Sequence, residues 1–153
     1  MARGNKRKNR IPKIQRQGSI LKGVSDSESA KAEEQNLNED FLISFKYLDR
    51  TQGQTLEQWE QDNILARAID KLRHYCCDTL NSQCGDKFTV YGDFPPKKKT
   101  DFSIPKHVPE DAKWARIHIT GKQIIAGYVN RNVFNVVFLD KEHKFYKSQK
   151  KHT

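Results

Sequence analysis

A chain of 153 residues with 28 Lys+Arg against 19 Asp+Glu, and a net charge of +9, has room for one modest domain and a tail, not for two full domains. The basic excess favours a polyanionic partner, because Lys and Arg near phosphates release condensed counterions. No apolar run reaches the roughly 18 residues of a membrane span, and the basic N-terminus lacks the apolar stretch of a secretory signal, so the expectation is a cytoplasmic protein with no membrane partner.

The charge is unevenly placed. Residues 1–22 carry eight basic and no acidic side chains, residues 23–40 carry one against six, and the remainder carries nineteen against thirteen. Residues 1–40 show no sustained apolar period, so they are expected to form a disordered tail, basic and then acidic. Its basic half, with Arg3, Lys6, Arg7, Lys8 and Arg10, suits a phosphate backbone. The acidic half is able to screen it. A compact domain is expected over 41–147, with a short basic tail at 148–153.

Phe41 to Leu48 alternates as a strand, with Phe41, Ile43, Phe45 and Tyr47 on one side. Thr55 and Gln58 then make a capping-box start. From Leu65 to Leu80 apolar residues, Ile69 among them, recur at steps of three and four, and Asp62-Asn63 marks a break, so one long bent helix or two short helices are predicted. Cys76, Cys77 and Cys84 are odd in number and lack a second ligand pair, which favours reduced structural thiols over a zinc site. Phe88 to Tyr91 reads as a short strand. Residues 92–111 hold Pro95, Pro96, Pro105 and Pro109 around Lys97-Lys98-Lys99, which predicts a surface loop able to bind a phosphate backbone, with Tyr91 and Phe94 near for base stacking.

Trp114 to Tyr146 reads as a three-stranded meander with turns at Thr120-Gly121-Lys122 and Asn130-Arg131-Asn132. The fold class is therefore α+β: an antiparallel sheet with helices on one face. Alternation places Trp114, Arg116 and His118 on one face and Ala115, Ile117 and Ile119 on the other. A two-residue first turn sets Arg116 opposite Gly127. With a three-residue second turn Gly127 pairs with Asn135, and Val137, Leu139, Lys141 and His143 follow on the Arg116 face; a two-residue second turn reverses that parity.

Metal-free RNA cleavage needs a base for the 2′-hydroxyl, an acid for the departing 5′-oxygen, and fixed cations for charge developing on phosphorus. Glu142 or His143 can serve as the base, His143 or Tyr146 as the acid, and Arg116, Lys144 and Lys147 can hold the phosphate. Histidine suits either role, since imidazole gives and takes a proton near neutrality. This scheme requires no cofactor and no metal.

The order strand, helical segment, strand, meander, with Trp114-Ala115-Arg116-Ile117 on its first strand and Asn132-Val133-Phe134 running on to His143 and Tyr146, resembles the RelE/YoeB-type toxins. These are small basic ribonucleases that cut messenger RNA on the ribosome and are neutralised by an antitoxin. The resemblance implies Arg116 as the phosphate-stabilising arginine, His143 and Tyr146 as the terminal catalytic pair, RNA or the ribosome as substrate, and an acidic antitoxin as partner. Glu142 has no counterpart, and the proline-rich stretch and the tail are additions. The alternatives are a non-enzymatic nucleic-acid or ribosome-binding module and a protein-interaction subunit of a larger complex.

Overall fold

The computed structural model describes residues 39–83 and 87–148. The expected tail, with Arg3, Lys6, Arg7, Lys8 and Arg10, lies outside the described residues, as do Cys84 and residues 149–153.

The fold is α+β. Its strands are β1 (Leu42–Ser44), β2 (Phe88–Gly92), β3 (Lys113–Thr120), β4 (Gln123–Asn130) and β5 (Val133–Asp140), and its helices are α1 (Leu56–Gln61), α2 (Leu65–Tyr75) and α3 (Leu80–Gln83). The five strands form one sheet in the order β1-β5-β4-β3-β2. β2 to β5 pair antiparallel, whereas β1 lies parallel to β5, so the sheet is mixed. Among the described residues no helix is long and apolar enough to cross a membrane.

The helices α1 and α2 form as their local chemistry requires. Thr55 accepts from the Gln58 amide at 3.2 Å and the Gln58 side chain accepts from the Thr55 amide at 2.9 Å, the reciprocal capping box that satisfies two orphan donors of α1. Asn63, at φ +57°, then breaks the helical path in the left-handed region that Asn tolerates. Trp59, Ala68, Leu72 and Tyr75 are buried against Phe41, Phe88, Ile117 and Phe134 on one face of the sheet. Ile69, expected in the same stripe, instead remains 46% exposed. Cys76 and Cys77 are free thiols.

The opposite face is also covered, and here the expectation of a free surface loop is corrected. Residues 93–112 form a strap whose Phe94, Phe102 and Val108 pack over Trp114, Phe138 and Phe145. It is fastened by backbone bonds from Asp101 to Lys144 at 3.1 Å and from Lys147 to Lys99 at 2.7 Å. Gln52 adds a link, accepting from the Ser103 amide at 2.8 Å and donating to buried Asp49 at 3.1 Å. Apolar residues punctuating a proline-rich segment, too widely spaced for a helix or strand, are what let it act as a lid on a second core. The first strand is shorter than expected. After Ser44 the chain turns, with the Leu48 amide bonded to the Phe45 carbonyl, so Phe45 is 40% exposed and Tyr47 crosses to the strap side, leaving only Phe41 and Ile43 on the helical side.

The strand register departs from the expected one through bulges. The first turn is two residues long, but a register shift between His118 and Thr120 sets Arg116 opposite Ala126, not Gly127. The second turn is also two residues, with Asn130 paired to Val133 and Gly127 to Val136; a further shift makes Val137 the extra residue and pairs Ala126 with Phe138. Leu139 therefore lies in the helix-side core and Val137 in the strap-side core. Gly127 is needed for this bulge, because a Cβ there would run into the Asn135 backbone carbonyl. Gly121, at φ +52°, has open space around it. Gly127→Ala is expected to lower stability by about 2 kcal/mol or more, and Gly121→Ala by about 1 kcal/mol, which urea unfolding measures as unequal shifts in midpoint.

Candidate functional site

Arg116 is the hub of a polar cluster on the strap face, at the β2–β3 side of the sheet. Alternation along β3 puts its side chain beside that of His118, and its guanidinium Nη1 donates to His118 Nδ1 at 3.2 Å. A register shift in β2 between Val90 and Gly92 leaves Tyr91 as the extra residue, close enough for the Arg116 charge to act on its phenol. Arg116 is half-buried and, among the described residues, forms no ion pair with a carboxylate. Its Nε–H is buried without an acceptor. A desolvated cation with an unused donor is costly unless an anion completes it.

The C-terminal segment reaches this cluster by a turn, not by strand parity. Asp140, 1% exposed, ends β5 and accepts from the Glu142 amide at 3.3 Å and the Phe145 amide at 2.7 Å. Those bonds fold the chain back so that Phe145 is fully buried in the strap-side core. The Lys141 amide, meanwhile, donates to Gln54 Oε1 at 2.5 Å, and the same oxygen accepts from the Trp59 indole at 3.3 Å. His143, at φ +59°, thereby brings its ring to 6.2 Å from that of His118, centroid to centroid. Tyr146 stacks on Tyr91 at 4.7 Å, and the Lys99 ammonium lies 5.6 Å from the centre of the Tyr146 ring.

The surroundings tune these groups. Burial lowers the pKa of the His118 imidazole, and the nearby charges of Arg116, Lys87 and His143 lower it further, against a backbone bond to Gly121 that raises it. A neutral ring is what the geometry requires, since Nδ1 must keep its lone pair to accept from Arg116. Burial pushes the Tyr91 phenol up, with the Arg116 charge opposing.

Of the residues expected to act on RNA, His143 approaches the cluster through His118, the partner of Arg116, and Tyr146 approaches it through Tyr91. Glu142 instead pairs with Lys144 at 2.5 Å; that bond and the lysine's charge hold its carboxyl below the usual range, which weakens it as a base, while Lys144 is raised in turn. Lys147 pairs with Asp101. Lys97 and Lys98 are exposed on a short 3₁₀ turn of the strap, Lys97–Lys99, and only Lys99 reaches the cluster. His118 carries no role in the expected scheme, and Tyr91 enters it only as a stacking partner for bases beside the lysine run, not as a neighbour of Arg116. The first was signalled by its position two residues from Arg116 on one strand face; the second depends on a bulge with no local sequence mark. Among the described residues no group of three or more His, Cys, Asp and Glu is arranged to hold a metal ion. No family model, curated protein or solved structure matches the chain.

Two outcomes follow from this geometry. A non-glycine residue held at positive φ stores strain of order 1 kcal/mol, so His143→Gly is expected to match or exceed the wild-type melting temperature while removing the imidazole. His118 has a folded pKa below its ordinary 6.5, so the unfolded chain binds the proton first; its contribution is complete above pH about 6.5 and is lost as pH falls through the folded value. Urea titrations at successive pH values should therefore show wild type losing stability relative to His118→Asn on acidification below that point.

Proposed function

We propose that the protein is a metal-independent endoribonuclease acting on single-stranded RNA, of the kind by which small basic toxins cut messenger RNA and block translation. The observation that carries this reading is Arg116: a half-buried guanidinium with no carboxylate partner among the described residues and a buried, unused Nε–H, bonded to His118, whose ring has His143 as a neighbour, and close to Tyr91, on which Tyr146 stacks. A phosphodiester supplies the missing anion and acceptor together. The resemblance to the RelE/YoeB type supports the reading, since RNA-cleaving members of that type would use an arginine, a histidine and a tyrosine at the positions of Arg116, His143 and Tyr146.

In this reading Arg116 holds the non-bridging oxygens and stabilises the charge that grows on them. The His143 imidazole takes the proton of the 2′-hydroxyl as its oxygen bonds to phosphorus. The P–O5′ bond breaks, and the Tyr146 phenol gives its proton to the departing oxygen, leaving a 2′,3′-cyclic phosphate and a free 5′-hydroxyl. His118, neutral and bonded through Nδ1, orients the guanidinium. Lys99 adds positive potential beside Tyr146. An acidic antitoxin, or the ribosome, would be the natural partner of so basic a chain.

Purified protein incubated with single-stranded RNA, with and without ribosomes, is expected to cleave it in the presence of a chelator. His143→Ala should lower the rate about 10²- to 10⁴-fold and Arg116→Ala about 10²- to 10³-fold. Deletion of residues 1–22 should leave cleavage intact. Salt-sensitive binding that depends on those residues, with no cleavage under either condition, would replace the enzyme with a binding module.

A further inference from the structure

A second cluster on the same sheet face has no part in the proposed chemistry. His107, in the strap, is exposed, yet its ring is fixed: Nε2 bonds the Tyr47 carbonyl at 2.9 Å, across 60 residues of chain, and the ring lies within 4° of parallel to that of Tyr47 at 6.4 Å between centres. Because a carbonyl only accepts, Nε2 is the protonated nitrogen, and Nδ1 has no partner among the described residues. Tyr47 is held from beneath by Tyr128 at 5.5 Å. Burial and the Tyr47 hydroxyl push the Tyr128 phenol up to about 12. Cations flank the rings, with the Lys46 ammonium 5.2 Å from the centre of Tyr47 and Lys106 exposed next to His107, and Phe45 is 40% exposed beside them.

An exposed imidazole ordinarily samples several rotamers. Here the exposed ring is stacked on Tyr47 and bonded through Nε2, with the Lys46 ammonium over the Tyr47 ring and exposed Lys106 adjacent in the chain. Ring faces that take any base by stacking, beside cations that track the backbone, are the pattern by which single-stranded nucleic acid is held.

We propose that Tyr47 and His107, with Lys46 and Lys106, form a nucleobase platform for a single-stranded RNA whose scissile phosphate lies at Arg116; the assignment of the ligand rests on the ribonuclease reading. Tyr128 pairs with Trp114, two residues before Arg116 on β3, so strand geometry puts the platform roughly 10–15 Å from Arg116. That is about three or four nucleotides at stacked spacing. The substrate therefore extends past the cleaved bond, and short fragments bind through Arg116 alone.

The test uses the full chain and 2′-O-methyl oligoribonucleotides, which lack the attacking hydroxyl, as a dinucleotide and as an oligomer of about ten nucleotides. Affinities are read by fluorescence anisotropy and competition, and thermal unfolding is followed for each variant. His107→Ala is expected to weaken the longer oligomer about tenfold or more without changing the dinucleotide, and His107→Phe, which keeps the ring but not the bond to Tyr47, is expected to retain the affinity. Equal weakening of both lengths, no weakening of either, or loss in His107→Phe matching that in His107→Ala would overturn the platform and leave His107 as a fastener of the strap. Arg116→Ala should weaken both lengths; if it binds both as wild type does, the cleavage reading falls, whereas a normal Arg116→Ala result beside an unaffected His107→Ala removes the platform alone.

Discussion

The Asp140 carboxylate decides where the chain goes when the sheet ends. Fully enclosed, it is stabilised by two backbone amides, those of Glu142 and Phe145, and the loop it closes drives Phe145 into the strap-side core. Without that loop, β5 would continue past the sheet into solvent, carrying His143 and Tyr146 away from Arg116. The strap depends on it too, because its backbone is bonded to Lys144 and Lys147 on either side of Phe145. Burial of a single aromatic ring, worth about 2–3 kcal/mol, thus secures the lid and the candidate site at once.

Around that anchor the molecule tolerates several local costs. Arg116 is half-buried without a carboxylate partner among the described residues, His143 sits at positive φ, and each antiparallel strand pair carries a register irregularity. Strained backbone and unused donors persist only where surrounding packing overrules them. Arg116 and His143 lie near one another through His118, whereas Asn63 and Arg131, also at positive φ, lie at turns elsewhere in the fold.

Much of this architecture is written in local patterns. The capping box at Thr55, the break at Asp62-Asn63 and the alternation of β3 correspond directly to observed elements, because each depends on residues within a few positions of one another. Register was less accessible. Both meander turns are two residues long, and the shift at Val137 comes from the close approach of Asn135 to Gly127, a contact between strands. With a two-residue second turn, strand parity alone sets His143 opposite to Arg116; the Asp140 turn, not the ladder, brings the His143 ring to that of His118. The strap escaped recognition because prolines and lysines dominate its composition, and only Phe94, Phe102 and Val108 reveal that it covers a core. Tyr47 was assigned to the wrong face since nothing in an alternating run announces that β1 ends at Ser44.

The parallel pairing of β1 with β5 gives the polypeptide an unusual dependence on its own completion. Leu42 is matched to Val133 and Ser44 to Asn135, so the first strand to leave the ribosome has no partner until the last has emerged. Phe41 waits likewise for Phe134 and Phe88. Contacts of such long sequence separation form late and make folding slow. The groups proposed to cut RNA follow the same schedule: Arg116 is translated before Asp140, His143 and Tyr146, and none of them is assembled until the sheet closes. With this connectivity the face that carries Arg116 is complete only after translation of β5 and the Asp140 turn is finished.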